Sequence, residues 1–249
     1  MPRLRLLRDS FADDPALDAA VSRALMFRVA AGELPETLRI ARPGTTVAFA
    51  KRDAVSPGYD AAVRAAREHG FEATIRLAGG RAAVFHGGTM EIGHAVPEAE
   101  PRAGIHERFR RTAGRLARAL VTLGVDARVG EVDGEYCPGR YSVNARGAVK
   151  LAGIGQRVVG GGSHTGVVLV IEGEERINAV LTPVYSALGL DWEPAASGSV
   201  RTEEAGATWE RVADALITEY AREFDVVEDG VDAETLALAR ELVLEHRVR

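Results

Sequence analysis

Apolar residues recur at helical spacing in three stretches of the N-terminal half of the chain. Asp14-Pro15 has the form of an N-cap followed by a first-turn proline, and the apolar periodicity that follows predicts a helix over 15–31, ended by Gly32. A second helix is predicted from Ser56-Pro57 to Gly70. The third prediction has the clearest apolar stripe and ends at Gly124, with Ile105, Phe109, Leu116, Leu120 and Leu123 on one face.

Short apolar runs between these helices predict strands. Thr45–Ala50 is one, and Ala73–Leu77 with Ala82–Phe85 is interpreted as a hairpin that turns at Gly79-Gly80. The region 126–172 is predicted to be rich in strands, at Ala127–Val132, Tyr141–Val143, Val149–Gly153 and Val167–Ile171.

Two segments of that region are predicted to connect strands. Asn144–Gly147 has the composition of a hairpin turn. Gly160–Ser163 is interpreted as a mobile loop, because three successive glycines are too flexible for a strand.

Further helices are predicted around 183–188, 203–222 and 232–247. Helices that alternate with strand pairs favour an α+β fold with a mixed, largely antiparallel sheet flanked by helices. We expect one catalytic-type domain over 1–249, with the helices of 203–247 packed on it and no separate accessory domain.

Composition and charge narrow the function classes. The chain has 249 residues, 46 % hydrophobic and 27 % charged, which is typical of a globular protein. A net charge of −5 disfavours nucleic acid as a partner, and no run is long enough to span a membrane. The single cysteine excludes an intramolecular disulfide and, with no signal-peptide pattern at the N-terminus, predicts a cytoplasmic protein.

Several familiar motifs are absent. No phosphate-binding P-loop occurs, Val158 replaces the third glycine of a dinucleotide fingerprint, and Thr165 breaks a serine-hydrolase elbow. Three histidines, together with the cysteine, lack the short spacing of zinc ligands, so no metal is expected; they are His86, His94 and His164.

Cys137 and Lys150 are the candidate catalytic residues. Cys137 lies in a loop bounded by glycine and proline, where a side chain meets ligands and a thiol can act as a nucleophile, although a passive cysteine is the alternative. Lys150 alternates with Val149 and Leu151 on a predicted strand. That pattern alone favours a solvated lysine on the outer face of a sheet.

Three segments together resemble the lipoate-protein ligase and octanoyltransferase superfamily over nearly the whole chain. The segments are Arg76–His86, the Cys137 loop and Lys150–Gln156. The Cys-Pro-Gly sequence at Cys137 is most similar to the cysteine-dependent lipoyl and octanoyl transferases, in which the acyl chain passes through an enzyme thioester. The chain departs from the family pattern at Ile75, where an arginine is usual, at Ala78, where serine or threonine is usual, and over Phe49–Asp53.

The resemblance implies roles for particular residues. Cys137 would be the nucleophile, and Lys150 would stabilise the developing oxyanion. Substrate contacts are implied at Arg76, Gly79, Gly80, Arg81, His86, Gly153, Gln156, His164 and Gly166. For His86 a hydrogen-bonded core histidine is an equally good interpretation.

Three functions remain open from the sequence. The first is octanoyl or lipoyl transfer to a lysine of a lipoyl domain, from an acyl carrier protein or a lipoyl-carrier domain, by a monomer that needs no cofactor. The second is an ATP-dependent and Mg-dependent lipoate ligase in which Lys150 holds the adenylate. The third is a non-catalytic binding protein on the same fold.

A row of arginines on the third helix adds one question about partners. Arg108, Arg111, Arg115 and Arg118 recur at spacings of three, four and three residues. We expect a solvated helix face, and the alternative is a docking surface for an acidic carrier protein.

Overall fold

A computed structural model describes residues 1–248 of the chain. Eleven strands and seven helices alternate along it. The strands are β1 Arg3–Leu7, β2 Thr37–Ala41, β3 Thr46–Phe49, β4 Glu72–Ile75, β5 Ala83–Phe85, β6 Thr89–Pro97, β7 Ala127–Val129, β8 Val143–Ala145, β9 Val149–Val159, β10 Gly162–Val170 and β11 Asp225–Asp229. The helices are α1 Pro15–Ala30, α2 Tyr59–Glu68, α3 Ile105–Thr122, α4 Glu174–Leu188, α5 Val200–Glu203, α6 Trp209–Ala221 and α7 Ala233–Leu242.

The strands form two sheets. The large sheet has the order β11-β1-β2-β6-β10-β9-β8-β7, and the small sheet has the order β4-β3-β5. In the large sheet β1 pairs in parallel with β2 and β11, and the other pairings are antiparallel. This arrangement confirms the predicted α+β fold with a mixed, largely antiparallel sheet.

Three apolar clusters hold the layers together. The largest lies between the large sheet and the helices α3 and α6, with Leu116 and Leu216 among its buried members. The second joins the small sheet to α2 and α4, and the third joins α1 to α7. The small sheet is fixed against the large one by α1, which contacts β4 as well as β6 and β10, and by direct contacts of β5 with β6 and β10. These contacts set the geometry of the clefts between the sheets.

The hairpin predicted over 73–85 is wrong. The strands β4 and β5 do not pair with each other, because β3 lies between them, parallel to β4 and antiparallel to β5. The segment that joins them, residues 76–82 with Gly79 and Gly80, is called the glycine segment below, and it does not turn tightly. It crosses the end of the small sheet and lies over the large sheet.

The mobile loop predicted at Gly160–Ser163 is also wrong. β9 and β10 are longer than predicted and are joined by a tight turn at Gly160-Gly161, with Gly162 and Ser163 inside β10. The glycines are needed for close approach: a Cβ at Gly161 would lie 2.5 Å from the main-chain oxygen of Ala30, and one at Gly162 would lie 2.9 Å from the Ala30 Cβ. The end of α1 therefore packs directly on this turn.

Other boundaries differ from the predictions. The helix predicted around 183–188 begins at Glu174, and Pro183 lies inside it, because Ile177, Val180 and Val184 bury one face of the preceding turns. The last helix ends at Leu242. The strands β1, β2, β6 and β11 were not predicted. The hairpin predicted around 144–147 is present between β8 and β9, but Asn144 and Ala145 belong to β8 and the turn lies at 146–148, with Arg146 at φ 57° and Gly147 at φ 73°.

The arginine row of α3 is not a solvated face. Arg108 and Arg115 are buried, and Arg115 stacks over Tyr220 while it donates to Glu223. The two exposed members also have carboxylate partners, since Arg111 pairs with Glu223 and Arg118 with Glu219. Packing of α3 against α6 explains the difference: it brings acidic side chains to the arginines and leaves little free positive charge for docking.

None of the helices within residues 1–248 combines the length and apolar character required to cross a membrane.

The turn at Gly161 supplies a stability test. We expect Gly161→Ala to destabilise the protein by about 2 kcal/mol, because the residue has φ 84° and its Cβ would meet the end of α1. Gly160→Ala is the matched control, since a Cβ there meets nothing within 4 Å, and we expect a change within about 0.5 kcal/mol. Urea unfolding of both variants checks the prediction, and equal losses would contradict it.

Candidate active site

The loop that carries Cys137 is organised by one buried carboxylate. Glu135 is 3 % exposed. Its oxygens accept hydrogen bonds from the amide of Val132 at 3.1 Å, the amide of Gly139 at 2.9 Å and the hydroxyl of Ser142 at 2.6 Å. A single side chain thus ties together both ends of the loop.

Lys150, on β9, contacts Glu135 and the main chain of the same loop. Its Nζ lies 3.1 Å from Glu135 Oε1, 2.8 Å from the main-chain oxygen of Tyr136 and 2.9 Å from that of Cys137. It also lies over the Tyr136 ring, 4.7 Å from the centroid. All three ammonium hydrogens therefore have acceptors in the Cys137 loop.

Lys150 is not the solvated, outer-face lysine that the strand pattern alone favours, because the residue is only 1 % exposed. Lys150 does point away from its apolar neighbours on β9, but the face of the strand to which it points is covered by the Cys137 loop. An irregularity in the pairing of β8 with β9, between Val143 and Asn144, lies next to this point. Burial of an ammonium group is tolerated here because a carboxylate and two carbonyls solvate it.

Cys137 itself has a constrained backbone and a partnered thiol. Its φ is 44°, in the left-handed region that non-glycine residues seldom occupy, and it is half-buried. Its Sγ accepts a hydrogen bond from the main-chain amide of Arg81 at 3.1 Å. This amide holds the sulfur in one position beside the glycine segment.

The glycine segment fits closely against this sulfur. A Cβ at Gly80, where φ is 119°, would lie 2.9 Å from Cys137 Sγ. On the other side a Cβ at Gly155 would lie 2.9 Å from the Gly79 oxygen, and the amide of Gly79 donates to the Gln156 oxygen at 3.3 Å. Glycines at these positions let the segment lie between β9 and the thiol.

Two arginines hold the segment in shape. Arg76 Nη1 donates to the main-chain oxygen of Arg81 at 3.0 Å, and Arg81 Nη1 donates to Asp53 Oδ1 at 3.1 Å. Asp53 is fully buried and also accepts from the Ala50 amide. The segment Lys51–Asp53, which departs from the family pattern, thus supplies an anchor for Arg81.

A cleft with a volume of about 380 Å³ opens beside Cys137. Seven of the sequence-predicted residues line it: Arg76, Gly79, Gly80, Cys137, Lys150, Gly153 and Gln156. Its apolar wall was not predicted. Phe109 and Tyr141 stack there with ring centroids 5.2 Å apart, and Ile105 adjoins them.

A second, smaller cavity of about 70 Å³ lies on the other side of the glycine segment, with Arg76 in the wall of both. The predicted residues His164 and Gly166 line this cavity and not the cleft. Apolar side chains of Leu77, Phe85 and Val167 form much of its surface.

His164 is neutral in this cavity. Burial, with the charges of His94 and Arg39 adding to it, lowers the pKa of His164 to about 3. The residue is only 4 % exposed and its side chain lines the cavity. A neutral imidazole at the wall of a cavity is a candidate contact for a bound group.

Charged groups also surround the small cavity. Arg39 is buried and pairs with Asp18, while Glu91 Oε2 lies 3.7 Å from its Nη1. Burial and the nearby Asp18 raise the pKa of Glu91 well above its usual value, against the opposing effect of Arg39. The two carboxyls therefore compete for the single Arg39 cation, and Glu91 is the one whose charged form is disfavoured.

His86 does not reach either cavity. It is buried, its Nδ1 accepts from the Gly88 amide at 3.0 Å, and its ring packs against Gly173. Within residues 1–248 no group of three or more His, Cys, Asp or Glu side chains is arranged to hold a metal ion.

Glu135 is the main site residue that sequence reasoning missed. It stands two positions before Cys137, and the only available signal was an acidic residue between the apolar Val132 and Tyr136 in that loop. Its partners are separated from it by up to fifteen positions, so the hydrogen bonds themselves were not visible in the sequence.

The buried pair generates a second stability test. We expect Lys150→Met to cost about 3 kcal/mol, because it leaves Glu135 buried without its cation. In a double-mutant cycle with Glu135→Gln, the double variant should cost less than the sum of the single variants by about 1 to 2 kcal/mol. Chemical unfolding measures all four proteins, and additive costs would show that the two side chains do not stabilise the loop together.

Comparison with known proteins matches this sequence and fold to one family. The family model described as the lipoyl protein ligase A/B catalytic domain matches residues 14–189. An octanoyl-[GcvH]:protein N-octanoyltransferase of Geobacillus kaustophilus is 31 % identical over 183 residues, which cover 72 % of this chain and 64 % of that protein. A lipoyl-[GcvH]:protein N-lipoyltransferase of Listeria monocytogenes is 27 % identical, with coverage of 70 % and 63 %. The chain thus spans a little under two thirds of the length of these relatives.

Solved structures support the same fold. A lipoate-protein ligase A bound with ATP superposes with a TM-score of 0.79 at 19 % identity, covering 98 % of this chain and 95 % of that one. A bi-partite lipoate protein ligase from Thermoplasma acidophilum superposes with a TM-score of 0.77 at 18 % identity, with coverage of 98 % and 93 %.

Proposed function

Because the chain belongs to the lipoyl protein ligase A/B catalytic domain family, we propose that it is an acyltransferase of protein lipoylation. It moves an octanoyl or lipoyl group from an acylated carrier protein to a lysine of an acceptor protein. The observation that carries the proposal is the position of Cys137, whose Sγ lies at the wall of the cleft and accepts a hydrogen bond from the Arg81 amide. The relatives whose names state octanoyl-[GcvH] and lipoyl-[GcvH] as donors favour a lipoyl-carrier protein over an acyl carrier protein as the donor.

The transfer takes place in two steps. The Cys137 sulfur attacks the acyl carbonyl of the donor, a Cys137 thioester forms, and the bond from the carbonyl carbon to the carrier breaks. The thiol proton leaves with the carrier's amine. A neutral acceptor lysine then attacks the thioester, an amide forms, and its displaced proton returns to the sulfur.

Lys150 supports this chemistry through the loop. Its ammonium group is fully occupied by Glu135 and two carbonyls, so its first role is to hold the Cys137 backbone at its strained φ. Its positive charge, buried at the cleft wall, also favours the negative charge that develops on the tetrahedral oxygen.

The two cavities divide the substrate between them. The cleft takes the reacting carbonyl and the lysine arm of the carrier, and the small cavity takes the far end of the acyl chain. Arg76, which lines both, lies where the chain passes from one to the other. The apolar surface of Leu77, Phe85 and Val167 suits an alkyl chain, and the neutral His164 stands beside it.

This function uses no ATP, metal or other cofactor, and its free thiol suits the reducing cytoplasm. An ATP-dependent ligase remains the alternative to be separated from it, and the third outcome is a protein that binds without catalysis.

The direct test follows the thioester. Wild-type protein is incubated with octanoylated carrier protein in the absence of ATP, and intact mass reports the adduct. We expect one octanoyl group, released by neutral hydroxylamine and placed on Cys137 by peptide mapping. Cys137→Ser, which keeps the size of the side chain, should form no thioester and should not transfer the acyl group to an acceptor lysine.

Other outcomes point elsewhere. Acylation that requires ATP and octanoic acid and survives in Cys137→Ser would support the ligase. Wild-type protein that forms no adduct and transfers nothing under either condition would leave the binding protein as the better account.

The division of the substrate has its own test. Ala19 on α1 lines the small cavity, so Ala19→Leu fills space where the end of an octanoyl chain would lie. We expect kcat/KM for octanoyl transfer to fall at least about tenfold relative to a butyryl donor. Ala61→Leu on α2, which lines neither cavity, is the control. An unchanged ratio of octanoyl to butyryl transfer in Ala19→Leu would place the chain elsewhere.

A further inference from the structure

Residues 246–247, called the C-terminal segment below, cover the outer edge of the small sheet at β4. β4 is an outer strand of that sheet, and its Thr74 forms an antiparallel bridge with Arg247. The Arg247 guanidinium lies 2.6 Å from Asp14 Oδ2 at the start of α1. The segment lies outside residues 14–189, so the family match assigns it no role.

One residue of the segment, His246, contacts the end of β4 twice. The main-chain oxygen of His246 accepts from the Ile75 amide at 2.9 Å, and the His246 ring Nδ1 lies 2.7 Å from the Ile75 oxygen. Because a carbonyl oxygen only accepts, Nδ1 carries the hydrogen. Both polar main-chain groups of Ile75 are therefore bound by His246.

The His246 ring is held in a single form. The residue is 2 % exposed, and its Nε2 is buried with no partner within residues 1–248. Burial lowers the pKa of His246, and the charges of Arg23 and Lys51 act in the same direction, against the bond to Ile75 and the charge of Glu245. A neutral ring protonated on Nδ1 satisfies these surroundings.

The contact leads directly to the active site. The Ile75 oxygen and the Arg76 amide belong to the same peptide group, and the Arg76 amide donates to the Phe49 oxygen at 2.9 Å. This peptide is thus fixed on both sides, by the His246 ring and by β3. Its orientation sets the direction in which the Arg76 side chain leaves the backbone, toward the Arg81 oxygen and the glycine segment that contacts Cys137.

We infer that His246 is a positioning residue for acyl transfer: its Nδ1 hydrogen fixes the peptide between Ile75 and Arg76 and so places the Arg76 guanidinium between the two cavities. It touches neither sulfur nor cavity. The effect of His246 on the rate of acyl transfer rests on the proposed function, whereas its contact with the Ile75–Arg76 peptide does not.

The test compares His246→Ala with His246→Asn. The Asn amide nitrogen lies close to the position of Nδ1 and can donate to the Ile75 oxygen, whereas Ala cannot. We expect kcat for octanoyl transfer to fall about tenfold in His246→Ala and to return to within about threefold of wild type in His246→Asn. Arg247→Ala, which loses only an exposed ion pair in the same segment, should keep the wild-type rate.

A second measurement separates this role from stability and from the proposed function. Rates are compared per folded molecule, below the unfolding transition of every variant, and Cys137 is alkylated with iodoacetamide in parallel. His246→Ala should change the alkylation rate by severalfold, and His246→Asn should restore it. If wild type transfers acyl groups and His246→Ala does so equally well per folded molecule, the inference fails and the proposed function stands. If wild type transfers nothing, the proposed function fails, and unchanged alkylation in His246→Ala would then overturn the inference as well.

Discussion

The buried ion pair of Glu135 and Lys150 is the interaction on which the candidate site depends. The pair crosses from the Cys137 loop to β9, and no other charged contact in the described chain ties that loop to the sheet. Two buried charges lose hydration, and the loss is offset here because each group has several further polar partners. Amides and carbonyls of the loop thus form their hydrogen bonds with the two charged side chains, while the Cys137 thiol lies at the cleft wall.

The glycine segment is the second constraint, because it separates two cavities with different surfaces. The cleft is bounded by the stacked Phe109 and Tyr141, whereas the smaller cavity lies between α1, the small sheet and β10. Because this segment contacts both β9 and the Cys137 sulfur, a small shift of its backbone moves the site. Residues outside the segment hold it in place: Asp53 pairs with Arg81, the Phe49 oxygen accepts from the Arg76 amide, and His246 binds the adjoining Ile75.

Local signals were enough to predict some of the fold and of the site. The helix α1 was predicted because its capping residues Asp14 and Pro15 are local to the segment, and α3 because its apolar stripe is. The hairpin between β8 and β9 was predicted because the turn residues determine their own geometry. The motif residues around Cys137 and Gly79 do line one cleft.

Features that depend on distant segments were missed. β3 separates the supposed hairpin partners, α6 covers the arginines of α3, and the Cys137 loop covers Lys150. Contacts with Ala30 explain the glycines at 161 and 162 only after α1 has been placed in space. Each miss arose because the missing partner is remote in the chain, and periodicity carries no information about such partners.

The parallel pairing of β1 with β11 has a consequence for how the protein is made. Arg3 is paired with Asp225, so the outer edge of the large sheet is complete only after more than two hundred residues have left the ribosome. Until then β1 has β2 as its only strand neighbour. Contacts of such long sequence separation close late and slow the final folding step. A partly synthesised chain therefore exposes an unfinished strand edge, which chaperones and aggregation compete to cover.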